Sequence, residues 1–169
     1  VRVSTVVFPG TFDPVTIGHL DIIRRGLKIF DHITVAVGTH HEKRKMFSVN
    51  ERMAMLREAV ETAIDDHDAR VNIVSFTGLL VDFAREQKVT TIIRGLRVLS
   101  DFEYEFQMAL MNRKLADSVE TVFLMPSEEL VCLTSTMVKE IARLGGPIEK
   151  LVPPCVVPLL SRKLALGMD

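Results

Sequence analysis

Cysteine is scarce in this chain: Cys132 and Cys155 are the two in 169 residues, and they form no CxxC pair. Neither a disulfide framework nor a thiol redox motif is expected, which suits a reducing compartment. No apolar run approaches the ~18 residues that a membrane span needs and no signal-peptide pattern is present, so a cytoplasmic protein without membrane contact is expected. Charge of a single sign is lacking as well. Lys and Arg number 21 against 22 Asp and Glu, a net charge of -1. No global field recruits nucleic acid or an anionic membrane, and basic character has to be local to a site. That balance fits a small anionic substrate. The five histidines, His19, His32, His40, His41 and His67, fall into no HExxH-type spacing, so no structural metal is expected from them. A GxxxxGK loop is absent, which excludes a P-loop kinase, and neither an internal repeat nor a low-complexity segment occurs.

What is present is a chain with 47% hydrophobic residues, long enough for one domain over residues 1–169 with a full core and too short for two. Short β-rich runs alternate with amphipathic stretches. Val3, Val6, Val7 and Phe8 read as a buried strand, and Leu20, Ile23, Leu27 and Phe30 recur at helical spacing. Ile33 to Val37 is the next strand, followed by a basic loop from His40 to Lys45. Ser48 and Glu51 have capping-box spacing ahead of a helix through Val49, Met53, Leu56, Val60 and Ala63. Val71 to Phe76 predicts a strand, Gly78 to Gln87 a short helix, and Thr91 to Ile93 a short buried strand. A second capping box, Ser100 and Glu103, opens a helix through Phe102, Phe106, Ala109 and Arg113. Thr121 to Met125 is the last strand. Thr136 to Leu144 is a helix stopped by Gly145-Gly146-Pro147, and Val156 to Leu166 a closing helix. About five strands alternating with helices imply a Rossmann-like α/β fold, a doubly wound parallel sheet with C-terminal helices, because parallel neighbours need right-handed crossovers.

Ligands of such sheets sit outside the carboxyl ends of the strands, and the clusters that carry chemistry follow predicted strands. Pro9-Gly10-Thr11-Phe12-Asp13-Pro14 leads to Gly18 and His19 in a first helical turn. Free N–H groups and the positive end of the helix dipole attract an anion there. Gly18 lets a phosphate approach the backbone, His19 adds a donor, Thr11 adds a hydroxyl, and Asp13 reads as a turn-forming residue rather than a base. Arg94-Gly95-Leu96-Arg97 sets two guanidiniums around a glycine at a strand end, a spacing suited to two phosphates. Lys43 is the basic-loop residue to single out. Leu133-Thr134-Ser135-Thr136 precedes a helix and forms a second anion cradle, with Ser135 or Thr136 as candidate N-cap. Each cluster alone also fits a solvated turn or an ordinary cap.

Together these pieces resemble one family. T-x-G-H after P-G-T-F-D-P, I-I-R-G-L-R leading into D-F-E-Y-E, M-N-R-K-L, and F-L-M-P-S followed by T-S-T-M-V-K-E are similar to the bacterial phosphopantetheine adenylyltransferases, from about Val6 to Leu144. The resemblance implies a T-x-G-H nucleotidyltransferase that makes dephospho-coenzyme A and pyrophosphate from ATP and 4′-phosphopantetheine with Mg²⁺ held mainly by the ATP phosphates. It implies that Thr11, Lys43, Leu80 and Arg94 hold phosphopantetheine. ATP would be held by Thr11, Phe12, Gly18, His19, Gly95, Leu96, Arg97 and Glu105, and by the segment Leu130, Val131, Cys132, Leu133, Thr134, Ser135 and Thr136. His19 would stabilise the transition state, with Lys43 and Arg97 assisting. Leu130 stands where some relatives place an aromatic, and Lys139 where the wider superfamily often has Arg. A homohexamer, a dimer of trimers, is implied too, with coenzyme A or dephospho-coenzyme A as product or feedback ligand.

The residues add two expectations of their own. Leu79, Leu80, Met108 and Met111 offer flexible apolar surface and Asn112 an amide to a pantetheine arm, although each of the apolar four also fits a core. Phe102, Phe106, Met108, Leu110 and Met111 surround more of their helix than one core stripe needs, so part of that surface is expected to meet a neighbouring subunit. Two alternatives stay open from sequence: another T-x-G-H enzyme of cytidylyltransferase type, and a non-catalytic nucleotide or coenzyme A sensor.

Overall fold

Alternation along the first strand shows how the sheet is covered. In β1 (Thr5–Gly10) Val6 and Phe8 join one apolar layer and Val7 the other, because successive side chains of a strand point to opposite faces. β2 (His32–Gly38) repeats this, with Ile33, Val35 and Val37 on one side and Ala36 on the other. In β4 (Thr91–Gly95) Ile93 and Ile92 divide in the same way. The computed structural model describes residues 4–39, 45–97 and 99–167.

With β3 (Val71–Phe76) and β5 (Glu120–Leu124) these strands form a five-stranded, all-parallel sheet in the order β3-β2-β1-β4-β5. One layer is built by α1 (Ile17–Gly26), α2 (Val49–Ala63) and the closing α7 (Val156–Ala165), whose Leu20, Ile23, Met55, Leu56, Val156 and Leu160 meet the Ile33 and Ile93 side. A short α3 (His67–Arg70) precedes β3. α4 (Leu80–Glu86) covers the opposite face, where Val81, Phe83 and Ala84 pack with Val7, Ala36 and Ile92. α5 (Leu99–Leu115) crosses from β4 to β5, and α6 (Ser135–Arg143) follows β5 after a 3₁₀ turn at Glu128–Leu130. Burying each large aliphatic side chain of these layers contributes about 1.5–3 kcal/mol before chain entropy is counted. The chain runs outward from β1 through β2 to β3, then returns to β4 and β5 on the other side. This reversal opens a crevice at the carboxyl ends of β1 and β4.

The expected doubly wound sheet is therefore present, with local differences. α1 stops at Gly26, with Leu27 as C-cap, so Leu27 and Phe30 lie beyond the helix they were expected to extend. A Cβ at residue 26 would sit 2.7 Å from Ile33, and the helix end is pressed against β2. The Ser48–Glu51 capping box is formed in both directions. The second box is not where spacing put it: α5 already begins at Leu99, which leaves Ser100 inside the helix rather than before it. At α6 the cap is Thr134, whose hydroxyl accepts from Met137 N–H at 3.0 Å, not Ser135 or Thr136. Among the described residues no helix is long and apolar enough to cross a membrane, and Cys132 and Cys155 are free thiols.

Candidate active site

The turn after β1 is tight for a steric reason. Phe12 adopts a left-handed φ of 51°, a conformation that costs a residue with a Cβ about 1 kcal/mol or more. Its ring folds back over Gly10, where a Cβ would lie 2.7 Å from it. The ring is buried and meets Phe8 and His19 edge-on, with centroids 5.6 and 5.0 Å apart. Phe12, expected among nucleotide contacts, thus forms the inner wall behind His19.

Thr16 is the N-cap of α1, and His19 at the third helical position completes a capping box. The Thr16 N–H donates to His19 Nδ1 at 2.9 Å. A backbone N–H can only donate, so Nδ1 is the acceptor and the proton of the neutral ring is on Nε2. Burial, reinforced by Arg97 and Arg94, lowers the His19 pKa from 6.5 to about 3. His19 is consequently a neutral imidazole at physiological pH, with Nε2–H as its donor.

This ring opens on a cleft of about 270 Å³ at the β1/β4 crevice. Its walls come from the β1 end with Thr11 and Phe12, from the α1 entry with Gly18 and His19, from the β4 end with Arg94, Gly95 and Arg97, and from α5 with Glu105. Leu130, Leu133, Thr134, Ser135 and Thr136 close the remaining side. The amino ends of α1 and α6 therefore converge on one space, and two such ends with two guanidiniums make a strongly anion-attracting cleft. A Cβ on Gly18 would meet only ordinary contacts, 3.5 Å to Thr16 and 3.8 Å to Leu133, so the protein's own packing does not demand glycine there. Gly95 differs. A Cβ there would press within 3.0 Å of Ile22, so close packing of α1 on β4 gives this cleft-lining glycine a reason within the protein itself.

Arg94 is already engaged. Its Nε donates to Glu105 Oε2 at 2.8 Å, Nη2 donates to the other carboxylate oxygen, and Nη1 donates to the Pro9 carbonyl. The fork is held across the crevice mouth, and Glu105 neutralises part of its charge. Arg97 donates to the Leu133 carbonyl at 3.0 Å, which joins the β4 loop to the segment before α6.

Several expected residues are not among the cleft's described lining. Lys43 falls outside the described residues. Among the described residues, Leu80, Leu96, Met108, Met111, Asn112, Val131 and Cys132 are not among those that line the cleft. Leu80 is partly buried against the α4 layer, Asn112 is buried, and Met108 and Met111 are exposed on α5. Asp13 is more than a turn residue: its buried carboxylate accepts from Met46 and Phe47 N–H and pairs with Lys139. Sequence reasoning also missed a clamp on the loop after β5. Asp21 accepts from the Ser127 amide at 2.8 Å and hydroxyl at 3.0 Å while pairing with Arg25. Burial alone would raise the Asp21 carboxyl, but these donors outweigh it and hold it below the usual carboxylate range. The i,i+4 spacing of Asp21 and Arg25 was a visible signal; their meeting with Ser127 was not.

Comparison with known proteins agrees with this geometry. A cytidylyltransferase-like family model matches residues 7–141. The phosphopantetheine adenylyltransferase of Geotalea daltonii is 52% identical over 157 residues, 93% of this chain and 94% of that protein. The phosphopantetheine adenylyltransferase of Anaeromyxobacter dehalogenans is 49% identical over 158 residues, with 94% and 93% covered. Among solved structures, a Vibrio parahaemolyticus protein assigned as a nicotinate-nucleotide adenylyltransferase superposes with a TM-score of 0.68 at 15% identity, covering 96% of this chain and 95% of that one. Plasmodium falciparum nicotinic acid mononucleotide adenylyltransferase, complexed with NaAD, gives 0.67 at 12% identity with 98% and 96% covered. At such identities the structures speak for the fold alone. The half-identical sequences reach further, and with His19, Arg94 and Arg97 gathered at one crevice they show that the chain belongs to the phosphopantetheine adenylyltransferase family.

Proposed function

We propose that this protein transfers the adenylyl group of ATP to 4′-phosphopantetheine, giving dephospho-coenzyme A and pyrophosphate in coenzyme A biosynthesis. An oxygen of the acceptor phosphate attacks the α-phosphorus in line, and the bond to the β-phosphate bridging oxygen breaks. The observation that carries this reading is the neutral, Nε2-protonated His19 at a helix amino end beside Arg94 and Arg97. A phosphate monoester has a second pKa of about 6, so it is largely a dianion at pH 7 and needs no general base. The obstacle is repulsion: one unit-charge pair at 4 Å costs about 4 kcal/mol at an effective dielectric near 20. Arginine forks and two helix amino ends counter that cost, and His19 donates to the α-phosphate as its charge redistributes.

On this reading ATP occupies the cleft between α1 and α6, with Arg97 tied to the nucleotide side through Leu133. Thr11 and Arg94 receive the acceptor phosphate, and Lys43 joins them on the family resemblance. Leu80, Met108, Met111 and Asn112 are assigned to the pantetheine arm. Among the described residues no group of three or more His, Cys, Asp or Glu is arranged to hold a metal ion, and Glu105 is committed to Arg94. Mg²⁺ is assigned to the ATP phosphates on the family resemblance, where it would supply neutralising charge.

The whole chain acts as one nucleotidyltransferase domain in the cytoplasm and assembles as a homohexamer. Supporting assembly, α5 exposes Phe102, Tyr104, Phe106, Leu110 and Met111, and the Phe102 and Phe106 rings stack at 5.6 Å. Coenzyme A is the expected feedback ligand. The decisive experiment mixes the protein with ATP, Mg²⁺ and 4′-phosphopantetheine and follows pyrophosphate, with CTP, GTP and UTP in parallel. ATP-dependent release is expected; none, or a preference for CTP, overturns the assignment. Light scattering that reports a monomer at micromolar concentration removes the hexamer.

A further inference from the structure

Behind the cleft lies a charged junction that the reaction as described does not use. Asp13 is buried after β1 and receives three donors: Met46 N–H at 3.1 Å, Phe47 N–H at 2.9 Å and Lys139 Nζ at 2.9 Å. Lys139 is on α6, one turn after Ser135, and its side chain is 19% exposed. Residues 135 and 139 share a helix face, and both reach the same turn, since Ser135 Oγ donates to the Pro14 carbonyl at 2.8 Å. That turn runs directly into Thr16, the N-cap of α1. Arg52 closes the junction from below, with bonds to the Thr11, Gly38 and Phe47 carbonyls.

We propose that Asp13 and Lys139 are positioning residues for the polyphosphate of the nucleotide, their ion pair setting the separation between the amino ends of α1 and α6. This rests on the adenylyl-transfer reading, in which both helix ends address one triphosphate. The chemistry favours placement over bulk stability. Desolvating an ammonium and a carboxylate is costly, and an apolar α6 residue would close the same space at lower cost. A directional contact at 2.9 Å does what an apolar contact cannot: it fixes the rotation and advance of α6 against the turn that launches α1. Helix-end donors work only when their N–H groups meet phosphate oxygens at hydrogen-bond distance, so a small slip of α6 removes several contacts together.

The test compares full-length wild type, Lys139→Met and Lys139→Arg by direct binding of inorganic tripolyphosphate, by kcat/KM for ATP, and by binding of 4′-phosphopantetheine without nucleotide. Lys139→Met is expected to lose about tenfold in tripolyphosphate affinity and in kcat/KM for ATP, with phosphopantetheine affinity within about twofold, and Lys139→Arg to recover most of the loss. Unchanged tripolyphosphate affinity, equal losses for both substrates, or no rescue by arginine overturns the proposal. Should Lys139→Met fail to fold, Lys139→Gln carries the same comparison, and failure of both assigns the pair to stability and overturns it too. Tripolyphosphate binding needs no acceptor, so a wild-type protein that releases no pyrophosphate defeats the adenylyl-transfer reading separately.

Discussion

The Thr16 amide donates to His19 Nδ1 across 2.9 Å, and the Thr16 hydroxyl lies 3.0 Å from the same nitrogen. Sequence spacing places a histidine in the first turn of α1; this contact decides which of its nitrogens carries the proton. His19→Ala is expected to lower kcat by roughly 10² or more while ATP affinity stays within a small factor, because the lost contact matters chiefly in the transition state. Steady-state rates and direct ATP binding check this. Normal turnover in a folded variant would remove His19 from the mechanism.

Stability should carry the signature of the same residue. Native His19 resists protonation until about pH 3, whereas its ordinary value is 6.5. As pH falls through that window the unfolded chain takes up a proton that the native state refuses, so native stability rises with pH between about 3 and 6.5 and is fully present above it. At pH 5 the loss from this group is about 2 kcal/mol relative to neutral pH. Denaturant unfolding of wild type and His19→Gln at pH 5 and 7.5 measures it, the variant losing less by that amount. Identical pH dependence would show that His19 is not its source.

Arg94 and Arg97 should separate by substrate. Arg94 spans the crevice mouth with Glu105, and Arg97 is bound to the segment before α6. Arg94→Ala is expected to raise the phosphopantetheine KM about tenfold or more with a smaller effect on ATP, and Arg97→Ala to do the reverse. Equal effects of either variant on both substrates would mean that the phosphates are divided otherwise.

Gly18 and Gly95, both lining the cleft, should fail for different reasons. Gly95→Ala forces a methyl against Ile22 at 3.0 Å and is expected to destabilise the fold by about 1–3 kcal/mol. Gly18→Ala meets no such contact and should unfold like wild type while ATP affinity falls several-fold. Thermal unfolding paired with ATP titration distinguishes them. A destabilised Gly18→Ala of normal affinity would show that residue 18 serves packing alone.

Much of the fold was legible because its signals are local. Alternation in Val6, Val7 and Phe8 marks a strand buried on both faces, and Ser48 with Glu51 marks a helix start, since both depend on neighbours within a few residues. The end of α1 was misjudged because the spacing of Leu27 and Phe30 continues an apolar pattern past the point where Gly26 packs on Ile33. The start of α5 was misplaced for a similar reason: Ser100 and Glu103 have cap spacing, but the helix includes Ser100.

By itself the sequence determined that this chain alternates strand and helix, that the candidate phosphate-binding groups follow the strands, and that its joined motifs match one family. Tertiary structure alone decided how those groups are deployed. Arg94 faces Glu105, Asp21 holds Ser127, Gly95 is pressed by Ile22, and Asp13 is paired with Lys139. Periodicity records which side of an element is apolar and spacing records what a helix turn can cap. Neither records which carboxylate a guanidinium or ammonium will meet, because that depends on the parallel crossovers that carry residues far apart in the chain to one edge of the sheet.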